Sequence, residues 1–580
     1  MLISALWCQA RQATHSKPQR TNCNHSFEMS CFFLCKKSDA YSSYQTVDSE
    51  SGTEGSTSTA WSTDTALTAT SAMSELSNQE RAEFVSFTRV AACMINEKLV
   101  ESTFTEKTVT ISHPKSTDAI TLQLVEKHHF PGYVHPLDIG TEITYNGVPI
   151  HLKGSCMMNI CGRWAGMDVS KLLPELENSA LNLEAVYNNP PVIRFESPSI
   201  DWEQSLIEGH RAHPWHKCRY PEVDEFKTAK LYLVSIPRDQ MEVVGDYNDW
   251  MKQLVKAEVD DNRVILPVHE LQLSNVLDTF PEVQVLPQTM TGRPQSSLRT
   301  ISIASPDFCV KIPLPIKITS IVRTLRPWAI TIGHRLEPVL QVVEQAVHAY
   351  GGSLIVAREV AAAASKSEHL GCIIRESTES IAARTGDRII VCAGMIEHID
   401  AIWGEDFDKT LVLRQFCKQL FRVTLPSVLL HGFALQAHLQ NLLIRLDPVT
   451  RAIKGFVARD LGSFKVHRPT FLESTSLDID TSWMLTNMNS LEKVYTYIFG
   501  VVHADVDSMV RALKLGIGGW RIAREELEKF VLPGDNLARR LWLDRRMGTC
   551  NAHVSMQIYG AENECRTASI PNRFYYCQHI

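Results

Sequence analysis

The sequence has no apolar run of about 18 residues or more, so no membrane span is expected. It has no C-x-x-C pair among its 15 cysteines; Cys31/Cys35 and Cys156/Cys161 come closest. An odd number scattered along 580 residues fits buried or free cytoplasmic thiols better than a disulfide framework or a zinc site. It has no excess of basic charge: 58 Lys and Arg against 65 Asp and Glu give a net charge of −7. That argues against nucleic acid as the main partner, but not against a local basic pocket. Met1 to Ala10 is mildly apolar, with neither a basic start nor a long apolar stretch after it, so no secretory leader is expected. The rest is ordinary for a soluble globular protein, with 44% hydrophobic and 21% charged residues. The length implies two to four domains.

Residues 1–78 are rich in Ser and Thr, most of all from Ser49 to Ser71. Such a composition cannot bury a core, and a disordered extension is expected; the Cys23 to Cys35 piece has no explanation within it. Order is expected to begin at Asn78, with Ser77 or Asn78 as cap and Glu80 and Glu83 in the early turns. Phe84, Phe87, Val90, Ala91 and Ile95 then recur at helical spacing. Thr108–Ile111 and Ile120–Leu124 alternate as strands, Tyr145-Asn146-Gly147-Val148 signals a hairpin turn, and 168–186 reads as helix. Residues 79–200 are therefore expected to form a mixed domain, 201–335 a sheet-rich domain and 336–580 a mainly helical one. Leu336–Tyr350, Leu354–Lys366, Lys409–Leu420, 430–446 and Leu491–Leu515 carry the helical spacing of the last.

Four stretches carry candidate chemistry. Glu208 to Arg219 holds three imidazoles, one ammonium and two guanidinium groups in twelve residues, and Gly209 and Pro214 make it a poor helix. Such a turn suits an anionic ligand. A metal held by His210, His213 and His216 is the weaker alternative, because no local residue completes the set, and a solvated surface is the third. In Ser297–Ile303, strand alternation points Ser297 and Arg299 to one side. Lys311–Ile318 alternates too, with Pro313 and Pro315 implying an edge or irregular strand. A face carrying Ser297, Arg299, Lys311 and Arg323 would cradle phosphates without a Gly-rich loop; a solvated face explains the pattern equally well. In the expected helix 430–446, Leu435, Leu439, Leu442, Leu443 and Leu446 form a stripe beside His438, Asn441 and Arg445. Phe456–Ser463 then ends a strand with Arg459-Asp460 before Gly462, a place where a carboxylate can serve a metal or act as a base.

Together these pieces resemble the aerobactin-synthetase type of NRPS-independent siderophore synthetase. The resemblance rests on four motifs in order: G-H-x-x-H-P-x-x-K-x-R at Gly209–Arg219; S-x-R-T at Ser297–Thr300 with Lys311 and then Ile318-Thr319-Ser320-Ile321-Val322-Arg323; H-G-x-x-x-E-x-H-x-Q-N at His431–Asn441; and R-D-x-G at Arg459–Gly462. Gln436 stands where the family's third motif has an acid, His269-Glu270-Leu271-Gln272 replaces an H-P-W-Q block, Tyr220-Pro221 follows Arg219 where a Gly is common, and the segment from Gly548 is unlike a compact helical end.

The resemblance implies an α+β fold of three parts arranged like a cupped hand. It implies ATP and Mg²⁺ as cofactors, a homodimer, and a cytoplasmic enzyme that adenylates a carboxylic acid and condenses it with an amine, polyamine or hydroxyl. Citrate is the acid implied. Ser297, Arg299, Thr300, Lys311 and Arg323 would hold the triphosphate; His438, Asn441 and Asp460 would complete the nucleotide site, Asp460 through Mg²⁺. Arg299, Lys311, Arg323 and His438 are the expected catalytic residues, and His210, His213, Lys217 and Arg219 would receive the carboxylate. Two rival readings follow from the departures and from the histidines: a ferric-citrate or siderophore binding protein, and a metal-dependent hydrolase using His210, His213 and His216.

Overall fold

The chain's first described helix, Asn78–Asn96, starts where its cap predicts. Ser77 accepts from the Glu80 amide, and the Glu80 carboxylate accepts from the Ser77 amide, closing a capping box. The computed structural model describes residues 75–580 apart from 221–225, 256–259, 320, 480–485, 532–535, 561–565 and 580. The expected N-terminal extension and its Cys23 to Cys35 piece lie outside those residues, as do Pro221, Ser320 and Cys565.

The helix buries Phe84, Phe87, Val90, Ala91 and Ile95 in a core shared with a five-stranded antiparallel sheet over 101–149 and the helices Gly154–Trp164 and Leu173–Asn188. The expected hairpin is present, with Asn146 and Gly147 both at positive φ as its two-residue turn demands. Trp215 and Cys218 of the cationic turn and Val554 of the C-terminal segment also bury into this core.

An eight-stranded antiparallel sheet forms the second core. Its strands are β1 (Ala229–Pro237), β2 (Met241–Val244), β3 (Arg263–His269), β4 (Gln284–Pro294), β5 (Thr300–Ser302), β6 (Phe308–Lys311), β7 (Glu359–Ser365) and β8 (Gly371–Glu376). Their order is β2-β7-β8-β6-β5-β4-β1-β3. The sheet thus takes strands from both sides of residue 335. β7 and the strand Leu354–Val356 lie where a helix over Leu354–Lys366 was expected. The reason is the alanine run: Ala361 to Ala364 are buried on both faces, so their apolar spacing carries no period that separates strand from helix. Ala362 and Ala364 pack under Ile330 of the helix Pro327–Arg335.

The third core surrounds a four-stranded sheet, in the order Leu354–Val356, Ile453–Ala458, Leu442–Leu446 and Arg388–Val391, with the long helices Lys409–Thr424, Leu491–Ala512 and Gly516–Phe530 around it. The expected helix over 430–446 is absent. The helix Pro426–His431 stops at Gly432 in the left-handed region, and Leu442–Leu446 runs as a strand buried at every position. Its leucines face core on both sides, which mimics a helical stripe.

Two further readings change. Only Thr300–Ser302 of 297–303 is strand: Leu298 sits at φ 60° in a turn closed by its amide on the Gln295 carbonyl at 2.8 Å. Ser297 and Arg299 therefore share a turn, not a sheet face. After Lys311 the ladder lapses over the two prolines and resumes at Lys317–Ile318, paired with Arg219–Tyr220. Ile312, Leu314, Ile316 and Ile318 are all buried, as the alternation predicts.

Candidate active site

The site rests on a buried polar base. Arg459 donates to both carboxylate oxygens of Glu203, at 2.5 and 3.0 Å, and to the Gln440 carbonyl at 2.8 Å. Glu203 accepts in turn from the Ser296 amide and hydroxyl at 3.1 and 2.8 Å. Gln295 Oε1 accepts from Arg459 at 3.1 Å and from Arg375 of β8 at 2.6 Å. Burial alone would raise the Glu203 pKa; Arg459 and the Ser296 contacts outweigh it and lower it. One guanidinium thus fastens the helix Ser199–Glu203, the 295–300 turn and the 435–441 loop together, and leaves the next residue, Asp460, at φ 67°. Asp505, buried on the helix Leu491–Ala512, lies near the Leu439 amide of the same loop.

Asp460 is the focus of the charges. Its carboxylate pairs with Lys311 at the end of β6. Burial would raise its pKa, but Lys311 and Arg299 hold it well below the usual carboxylate range. Burial lowers the Lys311 ammonium, with Asp460 opposing. Arg299 donates to the Thr324 carbonyl at 2.6 Å, and burial lowers its pKa, opposed by Asp460 and Glu359. Arg323 donates to Thr319 Oγ1 at 2.9 Å, while its Nε meets no partner among the described residues. Burial, Arg299 and Arg219 lower Arg323 to about 9, and burial lowers Arg219 to about 10. Both guanidinium groups keep their charge at neutral pH. His438 stands beside Asp460, His210, Arg459 and Arg323, and burial lowers it to about 4, so its imidazole is neutral. Lys311 and Arg219 are buried, whereas Arg299, Arg323, His438 and Asp460 are partly exposed.

Four of the expected residues serve local structure first. Ser297 Oγ donates to Thr300 Oγ1 at 2.9 Å and accepts from the Thr300 amide at 3.3 Å, shaping the turn that presents Arg299. Asn441 Nδ2 donates to the backbone carbonyl and side-chain oxygen of Gln436 at 3.0 and 3.4 Å. Gln436 is thus a neutral turn-mate at this corner. Arg445 leaves the expected His438–Asn441 row entirely and pairs with Asp387, because strand geometry turns it away.

The cationic turn is held by a residue sequence reasoning missed. Glu397 accepts from the amides of Ile207, Glu208 and Gly209. Gly209 sits at φ 58°, and a Cβ there would fall 1.7 Å from His216 Nε2, so glycine is required twice over. Lys217 is buried and donates to the Leu206 carbonyl at 2.6 Å. His213 is buried, and burial beside the other imidazoles lowers its pKa well below the usual range. His210 stands open at the rim, and the protein packed behind it, with Arg89, lowers its pKa. Among the described residues no three His, Cys, Asp or Glu side chains are grouped to hold a metal ion. The other missed residue is Glu359 of β7, buried near Lys311 and Asp460. Neither of its oxygens meets a donor in good geometry among the described residues, although the Leu461 amide is near enough to favour its charged form. No spacing signal singles out either glutamate, since each meets its partners across the fold.

The donor set fits a triphosphate: three guanidinium groups and an ammonium converge, and Arg323 Nε is buried without a partner among the described residues. Asp460 fits Mg²⁺, which takes one or two carboxylates plus phosphate oxygens, once Lys311 gives way.

Comparison with known proteins places this arrangement in a class first by fold. The chain superposes on the petrobactin biosynthesis protein AsbB of Bacillus anthracis with a TM-score of 0.71 at 16% identity, covering 89% of this chain and 99% of that one. It superposes on the ATP-bound aerobactin synthetase IucA of Klebsiella pneumoniae with a TM-score of 0.66 at 14% identity, covering 85% and 99%. By sequence, residues 198–397 match the IucA / IucC family, and residues 410–531 match the family described as ferric iron reductase FhuF-like transporter. The chain is 30% identical over 416 residues to an NRPS-independent siderophore synthetase-like protein, ankE, of Aspergillus thermomutatus, covering 63% of this chain and 67% of that one. It is 28% identical over 453 residues to the NRPS-independent siderophore synthetase rfs of Rhizopus delemar, covering 69% and 70%. This chain belongs to the NRPS-independent siderophore synthetase family. No helix among the described residues is long and apolar enough to cross a membrane.

Proposed function

We propose that the protein is an ATP-dependent ligase that adenylates citrate and joins it to an amine or hydroxyl, releasing pyrophosphate and AMP. The observation that carries this reading is the convergence of Arg299, Lys311 and Arg323 around Asp460, with His438 and Arg219 beside Arg323. A family neighbour described as ATP-bound supports the nucleotide, and a relative named staphyloferrin A synthase, 23% identical over 55% of its length, supports siderophore assembly.

A carboxylate is a poor electrophile, and a phosphate leaving group corrects that. One carboxylate oxygen of the acid forms a bond to the α-phosphorus as the bond to pyrophosphate breaks. The amine nitrogen, or hydroxyl oxygen, then bonds to the acyl carbon, AMP leaves, and the nucleophile loses its proton. Arg299, Lys311 and Arg323 offset the charge that crowds at the phosphorus, Lys311 after leaving Asp460 to the metal. The neutral His438 donates or accepts a hydrogen bond without adding charge. Asp460 would hold Mg²⁺, which supplies further charge neutralisation at the phosphates. No side-chain nucleophile is required, because the substrates attack one another once oriented.

Incubation with Mg·ATP, hydroxylamine and a panel of carboxylic acids tests this. Hydroxamate with citrate is the expected result. Hydroxamate with another acid would keep the mechanism and change the substrate. None with any acid, from folded protein, would favour a binding protein in which Gln436 leaves the corner without its charge.

A further inference from the structure

The strand Met547–Asn551 turns at Ala552 into the helix His553–Tyr559. That helix is clamped at both ends. Glu97 accepts from the Val554 and Ser555 amides at 2.9 and 2.7 Å and from the Ser555 hydroxyl at 2.7 Å. Lys317 donates to Gln557 Oε1 at 2.7 Å. Clamped so, His553 packs against the cationic turn. Its ring centroid lies 4.2 Å from that of His213 and 5.4 Å from that of His210, which are 5.9 Å from each other. His553 is only 8% exposed, and its Nδ1 meets no hydrogen-bond partner among the described residues. A buried polar atom left unpaired is destabilising and calls for a ligand or another compensation.

His210 looks two ways. On one side it is close enough to His438 to influence that ring, and so adjoins the arginine cluster; on the other it meets His213 and His553. Imidazoles held neutral by burial donate N–H hydrogen bonds and can take up a proton when an anion arrives, which suits a carboxylate that must be held but not activated.

We infer that His553 completes, with His210 and His213, a receptor for a non-reacting carboxylate of the acid. His553 is then a specificity-determining residue delivered by the C-terminal segment. This rests on the ligase reading, with the reacting carboxylate on the arginine side of His210.

The test compares citrate with the monocarboxylate 2-hydroxyisobutyrate in the hydroxamate assay, using the full chain and His553→Ala. The ratio of the two kcat/KM values is expected to fall about tenfold or more in the variant, the worth of a hydrogen bond to a charged group. His553→Gln, which keeps a donor, is expected to recover part of that ratio, and it carries the test if the alanine variant does not fold. An unchanged ratio, even with both rates lowered, would show a merely structural histidine and overturn the inference. If the unmodified protein makes no hydroxamate at all, the ligase reading fails separately. Citrate-induced thermal stabilisation then decides: a shift of a few degrees that His553→Gln loses keeps the receptor, and no such difference overturns it.

Discussion

The two sides of the site handle positive charge in opposite ways. On one side Arg219, Arg299, Lys311 and Arg323 stay charged though largely buried, and Asp460 sits among them to offset their mutual repulsion. On the other side His213 and His553 are buried, and burial holds their imidazoles neutral. The first side attracts an anion permanently and at a distance. The second acquires charge only when an anion is present to share the proton. A substrate with several carboxylates would meet both.

Acid should break this contrast most strongly. His213, His553 and His503 are buried with pKa values below the ordinary 6.5, His553 and His503 at about 3. Below pH 6.5 the unfolded chain binds protons at these rings that the folded chain does not, so stability is full above that pH and falls as pH drops. His553 and His503 each remove about 2 kcal/mol by pH 5, and His213 acts in the same direction. Chemical denaturation at pH 7.5 and 5 measures it, and equal stability at both would mean that the folded rings are protonated.

The permanent side is probed next. Arg299→Ala and Lys311→Ala should each lower turnover by about 10² or more, the scale of a lost charge-stabilising contact. Near-normal turnover in both would remove the phosphate-cradle assignment. Asp460→Asn should raise the Mg²⁺ concentration for half-maximal rate by about tenfold, on the scale of a weakened metal site; an unchanged Mg²⁺ profile would mean that Asp460 serves only Lys311. The smallest change is Gln436→Glu, which restores the missing acid at a partly exposed corner. It should lower the half-saturating Mg²⁺ by about threefold, the scale of an exposed charge pair, and a flat response would place residue 436 outside the metal's reach.

What could be read from the residues was local. The Ser77–Glu80 capping box, the Asn146-Gly147 turn and the buried stripe of the first helix depend on neighbours a few positions away, and all are present. The four motifs were legible as well, and the fold brings Arg219, Arg299, Lys311, Arg323, His438 and Asp460 to one place. The secondary structure around them was not. Leu442–Leu446 and Ala361–Ala364 are buried on both faces, and an apolar run with core on every side has no period to betray a strand. Nor could spacing reveal that Arg459 is a fastener for Glu203 rather than a site cation, or that Glu397 organises the cationic turn from 188 residues away. Those contacts exist only after the cores have met.

The clamp between Glu97 and the helix His553–Tyr559 sets a timetable for the making of the protein. Its partners are 457 residues apart, and Val554, within the helix, is buried in the core built around the first helix. At ordinary rates of synthesis that separation corresponds to roughly 20–90 s. Throughout that interval the earliest domain must wait with part of its core unfilled and His213 without His553 beside it. The site is therefore not complete while the chain emerges up to that point; its last part arrives only when the segment carrying His553 has been translated.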